Sequence, residues 1–302
     1  GKIIVDQKWA IDAIYELFNR QGQGRSTFSI LIERGNGMFT EEDLSRAWDE
    51  VRNAEGKPKY RGDERRLLLS FMESCEICVA LDEEREKEVE RGKRRYLAPQ
   101  LLPIERPQSA SIYDFEQAGK QYYFRFQYTI LHEAIIQRFI TRVFKTDIGI
   151  AEAWRNGILI SAKGEGKALV EVEGQSILIT LKEGSSYTLL EKIRNEFDAV
   201  QEGETGITAS VSLDKKGFVS LDYLKQWKPG EEVIMDDGSR VAFERLEIFL
   251  KASEGVRFEN IAETRNPQKR ERATADKAPS PTDTLNHLRQ LVAELYWKEA
   301  LA

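Results

Sequence analysis

The chain has 302 residues, 41% hydrophobic and 32% charged, with a net charge of −6, which is the balance of a globular protein with room for two cores. The negative charge gives no overall field toward nucleic acid or anionic membrane, and no apolar run reaches the 18 residues that a membrane span needs. Two cysteines and two histidines exclude a disulfide framework and leave little for zinc or histidine-dependent catalysis. The start, Gly1-Lys2-Ile3-Ile4-Val5-Asp6, is too short and polar for a signal peptide, so a cytoplasmic protein is expected.

The first hundred residues read as helices. Trp9, Ala10, Ala13, Ile14, Leu17 and Phe18 recur with helical spacing and form one apolar stripe. Thr40 followed by Glu41, Glu42 and Asp43 is a helix start, with a hydroxyl cap and acids at the positive end of the dipole. The helix that follows buries Leu44, Ala47, Trp48 and Val51, and Gly56 and Pro58 then break the chain. A third helix, from Asp63 to about Cys75, carries Leu67, Leu68, Phe71 and Met72. A hairpin is expected next, from Ile77–Leu81 through a charged excursion to Tyr96–Pro99, so the unit resembles a winged helix.

Pro103 and Pro107 mark a connector from Gln100 to about Ser111. Tyr122, Tyr123, Phe124, Phe126 and Tyr128 form an aromatic strand, followed by a helix bearing Leu131, Ile135, Phe139, Ile140 and Val143. From Trp154 the period changes to that of strands: Ile158–Ile160, Ala168–Val172 and Ile177–Leu181, joined at glycine turns. Leu190, Ile193, Phe197 and Val200 mark a helix. Ile207, Ala209, Val211 and Leu213, alternating with Thr208, Ser210 and Ser212, mark a half-buried strand. Gly255–Thr282 reads as a polar linker, and Leu285, Leu288, Leu291, Val292 and Leu295 form the stripe of a last amphipathic helix. The fold class is α+β: a helical first half, then a small, mostly antiparallel sheet with helices.

Chemistry is sparse. The string closest to a phosphate loop, Lys163-Gly164-Glu165-Gly166-Lys167-Ala168, lacks the G-x-x-x-x-G-K-[ST] spacing and falls in a hairpin. No guanine-reading Asn-Lys-x-Asp string occurs. Cys75 and Cys78 form a C-x-x-C at the end of a helix, where the dipole disfavours a thiolate, so both read as structural. His132 reads as a helix-start residue and His287 as a surface one. The acids from Asp82 to Glu90 alternate with Arg85 and Lys87, the pattern of a solvated face. A winged-helix DNA-binding protein is the alternative reading. Against it, residues 1–100 hold 18 cations and 20 anions, and the third helix opens on Asp63-Glu64, where phosphates would have to sit.

An ordered set of strings carries a resemblance: Trp9-Ala10-Ile11-Asp12-Ala13-Ile14-Tyr15, Phe39-Thr40 with Asp43-Leu44, Phe71-Met72-Glu73-Ser74-Cys75-Glu76-Ile77-Cys78, and Tyr96-Leu97-Ala98-Pro99 with Leu101-Leu102-Pro103. Further on come Tyr123-Phe124-Arg125-Phe126, Arg138-Phe139-Ile140, Trp154-Arg155-Asn156-Gly157 and Ala168-Leu169-Val170-Glu171-Val172. Over about Lys2 to Leu250 the chain resembles the COR domain of the Roco family, which includes bacterial Roco proteins and the leucine-rich-repeat kinases. The resemblance implies a non-catalytic regulatory domain that follows a Ras-like GTPase domain, Roc, docks on it and couples its nucleotide state to homodimerisation. GTP or GDP is then expected on Roc, and no cofactor or metal in this chain.

Three segments follow from this reading: 1–150, helical and GTPase-facing; 151–254, mixed α/β and dimerising; and 255–302, linker and terminal helix. The expected GTPase contacts are Trp9, Tyr15, Tyr123, Phe126 and Tyr128, aromatics of the kind enriched at interfaces. The expected dimer residues are Leu159 and Leu178, on the second face of a sheet that a single helix would leave uncovered, with Leu288, Leu291 and Leu295. The expected partners are Roc and a second copy of the chain, with neither nucleic acid nor membrane.

Overall fold

The first helix of the computed structural model, α1 (Gln7–Phe18), lays Ala10, Ala13, Ile14, Leu17 and Phe18 into a core; the structure describes residues 7–18, 36–81, 93–117 and 119–254. Strand β1 (Met38–Thr40) runs straight into α2 (Glu41–Glu50). Thr40 makes that junction: its hydroxyl accepts from the Asp43 N–H at 3.2 Å while the Asp43 carboxylate accepts from the Thr40 N–H at 2.9 Å. This reciprocal cap satisfies two donors that a helix start leaves over. Helix α3 (Gly62–Ser74) is opened in part the same way, with Glu64 accepting from the Arg61 N–H at 2.6 Å. The three helices close on Trp48 and Tyr60, both fully buried, and the Trp48 indole donates to the Ala13 carbonyl at 3.3 Å. Strands β2 (Val79–Ala80) and β3 (Arg95–Leu97) complete a three-stranded antiparallel sheet in the order β1-β3-β2. There Tyr96 stacks on Phe39 with ring centres 5.5 Å apart.

A short 3-10 turn, Pro99–Leu101, and a connector lead to α4 (Ala110–Gln117) and the second unit. Its strands are β4 (Gln121–Gln127), β5 (Ile150–Trp154), β6 (Gly157–Ala162), β7 (Gly166–Glu173), β8 (Ser176–Lys182), β9 (Thr208–Ser212) and β10 (Val219–Ser220). They form one antiparallel sheet in the order β10-β9-β4-β8-β7-β6-β5. Register sorts the side chains. Phe124 lies between Ile179 and Val211, and Phe126 between Ile177 and Ala209, on the apolar face. Arg125 lies between Leu178 and Ser210, and Tyr123 between Thr180 and Ser212, on the other. Helices α5 (Glu133–Val143) and α6 (Tyr187–Val200) bury Ile135, Ile136, Phe139, Ile140 and Leu189, Ile193, Phe197 in the core of the apolar face. A short helix α7 (Leu221–Leu224), the hairpin β11 (Glu232–Ile234) with β12 (Arg240–Ala242), and α8 (Phe243–Glu254) finish this core with Leu224, Val233, Leu246 and Phe249.

The α+β class and the division into a helical first part and a sheet-rich second part match the sequence reading. The boundary at residue 150 does not. Residues 121–127 are an interior strand of the large sheet and 133–143 pack on its core face, so the units divide between residue 102 and α4. The aromatic run looked like part of the helical half because strand pairing to residues 176–182 and 208–212 is non-local and leaves no local signal. The linker and last helix expected over 255–302 lie outside the described residues.

Candidate functional site

The Lys163–Ala168 string is the turn between β6 and β7, where the Glu165 N–H donates to the Ala162 carbonyl at 3.1 Å and Ala162 pairs with Gly166. Gly166 has φ +107, and a Cβ there would stand 2.4 Å from Ser185 Oγ, so glycine is required. The Glu165 carboxylate is bound by Lys192 Nζ at 2.6 Å, an ion pair across to α6. Cys75 and Cys78 are buried, and burial pushes the Cys78 thiol well above its ordinary value. Among the described residues no group of three or more His, Cys, Asp or Glu could hold a metal ion. Iodoacetamide is therefore expected to leave both thiols unmodified in the native protein and to alkylate both in denaturant, as mass spectrometry would read. Rapid native labelling of either thiol would instead mark it as reactive.

The five aromatics expected at the GTPase contact separate. Tyr15 is 37% exposed on α1. Trp9, one helical turn and a half earlier, is half-buried and meets Tyr60 edge-on at 5.9 Å. Tyr123 is half-buried on the outer sheet face, its hydroxyl donating to Gln121 Oε1 at 2.8 Å. Phe126 and Tyr128 offer no surface: both are buried in the core of the second unit, and the Tyr128 hydroxyl accepts from the Gln201 amide. The strand pairing that moved the unit boundary turns Phe126 inward, and Tyr128 follows it at the same period.

The two described dimer candidates are covered as well. Leu159 is fully buried in a small cluster with Ile112 and Phe115 of α4, Trp154 and Leu169. Helix α4 shields this part of the second face, and the punctuated connector concealed it in the sequence. Leu178 is 3% exposed between Glu171 and Arg125. The Arg125 guanidinium lies 3.8 Å over the Phe218 ring and donates to Ser210 Oγ at 3.2 Å, so this half of the face is closed by polar and cation–π contacts. Leu288, Leu291 and Leu295 lie outside the described residues.

Charge is concentrated at the junction of the two units, which the sequence reading missed. Glu76, just past α3, is 6% exposed. Its Oε2 meets Arg138 Nε at 2.9 Å and its Oε1 meets Arg142 Nη1 at 2.8 Å, both from α5. Arg142 Nε also meets Glu196 Oε2 of α6 at 2.6 Å, and Arg138 Nη1 donates to the Val200 carbonyl at 3.1 Å. The Thr141 hydroxyl lies 3.1 Å from the Glu76 carbonyl. Burial works against the Arg142 cation, but its hydrogen bonds to Glu76 and Glu196 outweigh this and hold its pKa above the ordinary value. Beside this cluster Val79, Leu97 and Leu102 of the first unit join the core of the second. A signal was present: Arg138 and Arg142 sit four apart on a helix whose buried positions are mostly apolar, so the pair borders the packed face, where a half-buried cation needs an anion.

Comparison with protein families gives two matches, one per unit. Residues 2–102 match the family described as C-terminal of Roc, COR-A domain, and residues 119–248 match that described as C-terminal of Roc, COR-B domain. No curated protein matches the chain. The gap between the two matches, residues 103–118, holds the connector at which the structure divides its units, together with α4.

Proposed function

Because the chain belongs to the C-terminal-of-Roc (COR) domain of the Roco proteins, multidomain GTPases in which COR follows Roc, we propose that it is a non-catalytic domain that docks on the adjacent Roc domain and couples its nucleotide state to pairing of two copies. The observation that carries this is the ordered pair of family matches, each falling within one structural unit. Guanine nucleotide belongs on Roc in this reading, with no cofactor on the COR chain. Nucleotide state and dimerisation then influence one another reciprocally, because a coupling free energy is shared by both equilibria.

Docking is assigned to the helical unit, where Tyr15 and the rim of Trp9 offer an aromatic surface. Among the described residues, the helix–strand–helix–helix–strand–strand order with sheet order β1-β3-β2 supports a winged-helix description of this unit. It does not favour DNA: the exposed positions of α3 include Asp63, Arg66, Ser70 and Ser74, with no basic stripe to meet phosphates. Among the described residues no helix is long and apolar enough to cross a membrane.

Titration calorimetry tests the reading. The chain alone is expected to give no heat with GTP or GDP and to bind a Roc domain supplied in trans. Tyr15→Ala should weaken that binding about five- to thirtyfold, the effect of an interface residue worth one to two kcal/mol. Stoichiometric nucleotide binding by the chain, or no binding of Roc by the intact chain, would overturn it.

A further inference from the structure

Glu76 stands where three rules of placement oppose it. It occupies the first position past the C-cap of α3 at φ +59. Its N–H donates to the Glu73 carbonyl at 3.2 Å and the Ile77 N–H donates to the Met72 carbonyl at 2.9 Å, the paired bonds of a Schellman ending. Glycine is the usual occupant, because a Cβ is disfavoured at positive φ. The negative end of the helix repels a carboxylate, and burial removes the water that would solvate one. A residue that breaks propensity, dipole and burial rules together finds its compensation in tertiary structure. Here that compensation is the pair of arginines, one to each carboxylate oxygen.

The arginines belong to the other unit. From α5 the contacts continue to α6 through Glu196 and the Val200 carbonyl, while Lys145 Nζ reaches the Glu73 carbonyl at 3.4 Å. One carboxylate thus ties the end of α3 to two helices packed on the large sheet. The neighbouring apolar contact of Val79, Leu97 and Leu102 is non-directional and tolerates a range of angles. A carboxylate held between two guanidiniums tolerates few. Buried ion pairs add little net stability, and their best use is to select one arrangement among several.

We propose that Glu76, Arg138 and Arg142 form an ionic latch that fixes the angle between the helical unit and the sheet unit, and that opening it lets the two swing about the connector before α4. The latch is a property of the chain itself and stands whether or not a GTPase docks on it.

Pulsed electron paramagnetic resonance on the full chain tests this, with nitroxides on cysteines introduced at the exposed positions Glu55 and Glu202, one in each unit. Cys75 and Cys78 are buried, and mass spectrometry checks that they stay unlabelled. The parent should give one narrow distance distribution. Glu76→Gln keeps the volume and loses the charge, and should widen the distribution by about twofold or more as a second arrangement becomes populated. Glu76→Gly should widen it equally, although it relaxes the backbone. Distributions as narrow as the parent's in both variants, even with a lowered melting temperature, would make the cluster a local stabiliser and overturn the latch. Should neither variant fold, Arg142→Gln, whose side chain is 30% exposed at the rim, is read by the same two outcomes.

Discussion

A fragment spanning residues 105–254 is expected to fold cooperatively, and one spanning 151–254 is not. The difference is β4 with α5. Strand β4 is interior, paired along its length with β8 and over five residues with β9. Its removal leaves two strands of the core without partners on that side. The same truncation deletes Phe124, Phe126, Tyr128, Ile135, Ile136, Phe139, Ile140 and Val143 from the buried core. At about 1.5–3 kcal/mol for each large apolar side chain, the loss is comparable to or larger than the whole stability of an ordinary domain, about 5–15 kcal/mol. Starting at residue 105 keeps α4 over Leu159 and Leu169, and keeps Arg106, which bonds Glu116 at 2.7 Å and Glu171 at 2.9 Å. Circular dichroism with thermal melting decides between the fragments. A sigmoidal transition in 151–254 would show that the sheet closes without β4.

Periodicity located several of the local elements. The stripe of α1, the Thr40 start of α2 and the alternation of β9 all stand close to where spacing put them. What spacing could not convey was partnership. Residues 121–127 read as a strand in sequence, but their place between β8 and β9 depends on contacts across 50 to 90 residues of chain, so the aromatics at 126 and 128 looked like surface and are core. Helix α4 was hidden because Pro103 and Pro107 make its approach look like a connector throughout, and without α4 the inward leucine at 159 seemed to want a partner. Glu76 was passed over for a related reason. A charged residue after a helix reads as solvated until the helix that faces it is known.

Replacing Phe139 by alanine should lower the unfolding free energy by about 3–5 kcal/mol, the range for a large aromatic truncated in a packed core. Phe139 is fully buried, and its ring stacks on Phe197 with centres 4.0 Å apart and planes at 7°. Phe197 meets Phe126 at 5.3 Å, and Phe126 meets Phe124 at 5.0 Å, so four rings link α5, α6 and β4 into one run. Truncating an end member removes its transfer energy and also leaves Phe197 facing a void that its fixed neighbours cannot fill. Urea unfolding should show a lower midpoint with an unchanged slope, since the surface exposed on unfolding barely alters. A loss under about 1 kcal/mol, typical of surface positions, would mean that Phe139 is not packed as described. The same run governs how docking experiments are read. Phe126→Ala should cost as much as Phe139→Ala, so weaker binding of a GTPase domain by that variant would report unfolding. Tyr15→Ala, at a position 37% exposed, should cost less stability than Phe126→Ala, so a docking defect in a variant that melts as a folded protein would belong to the interface itself.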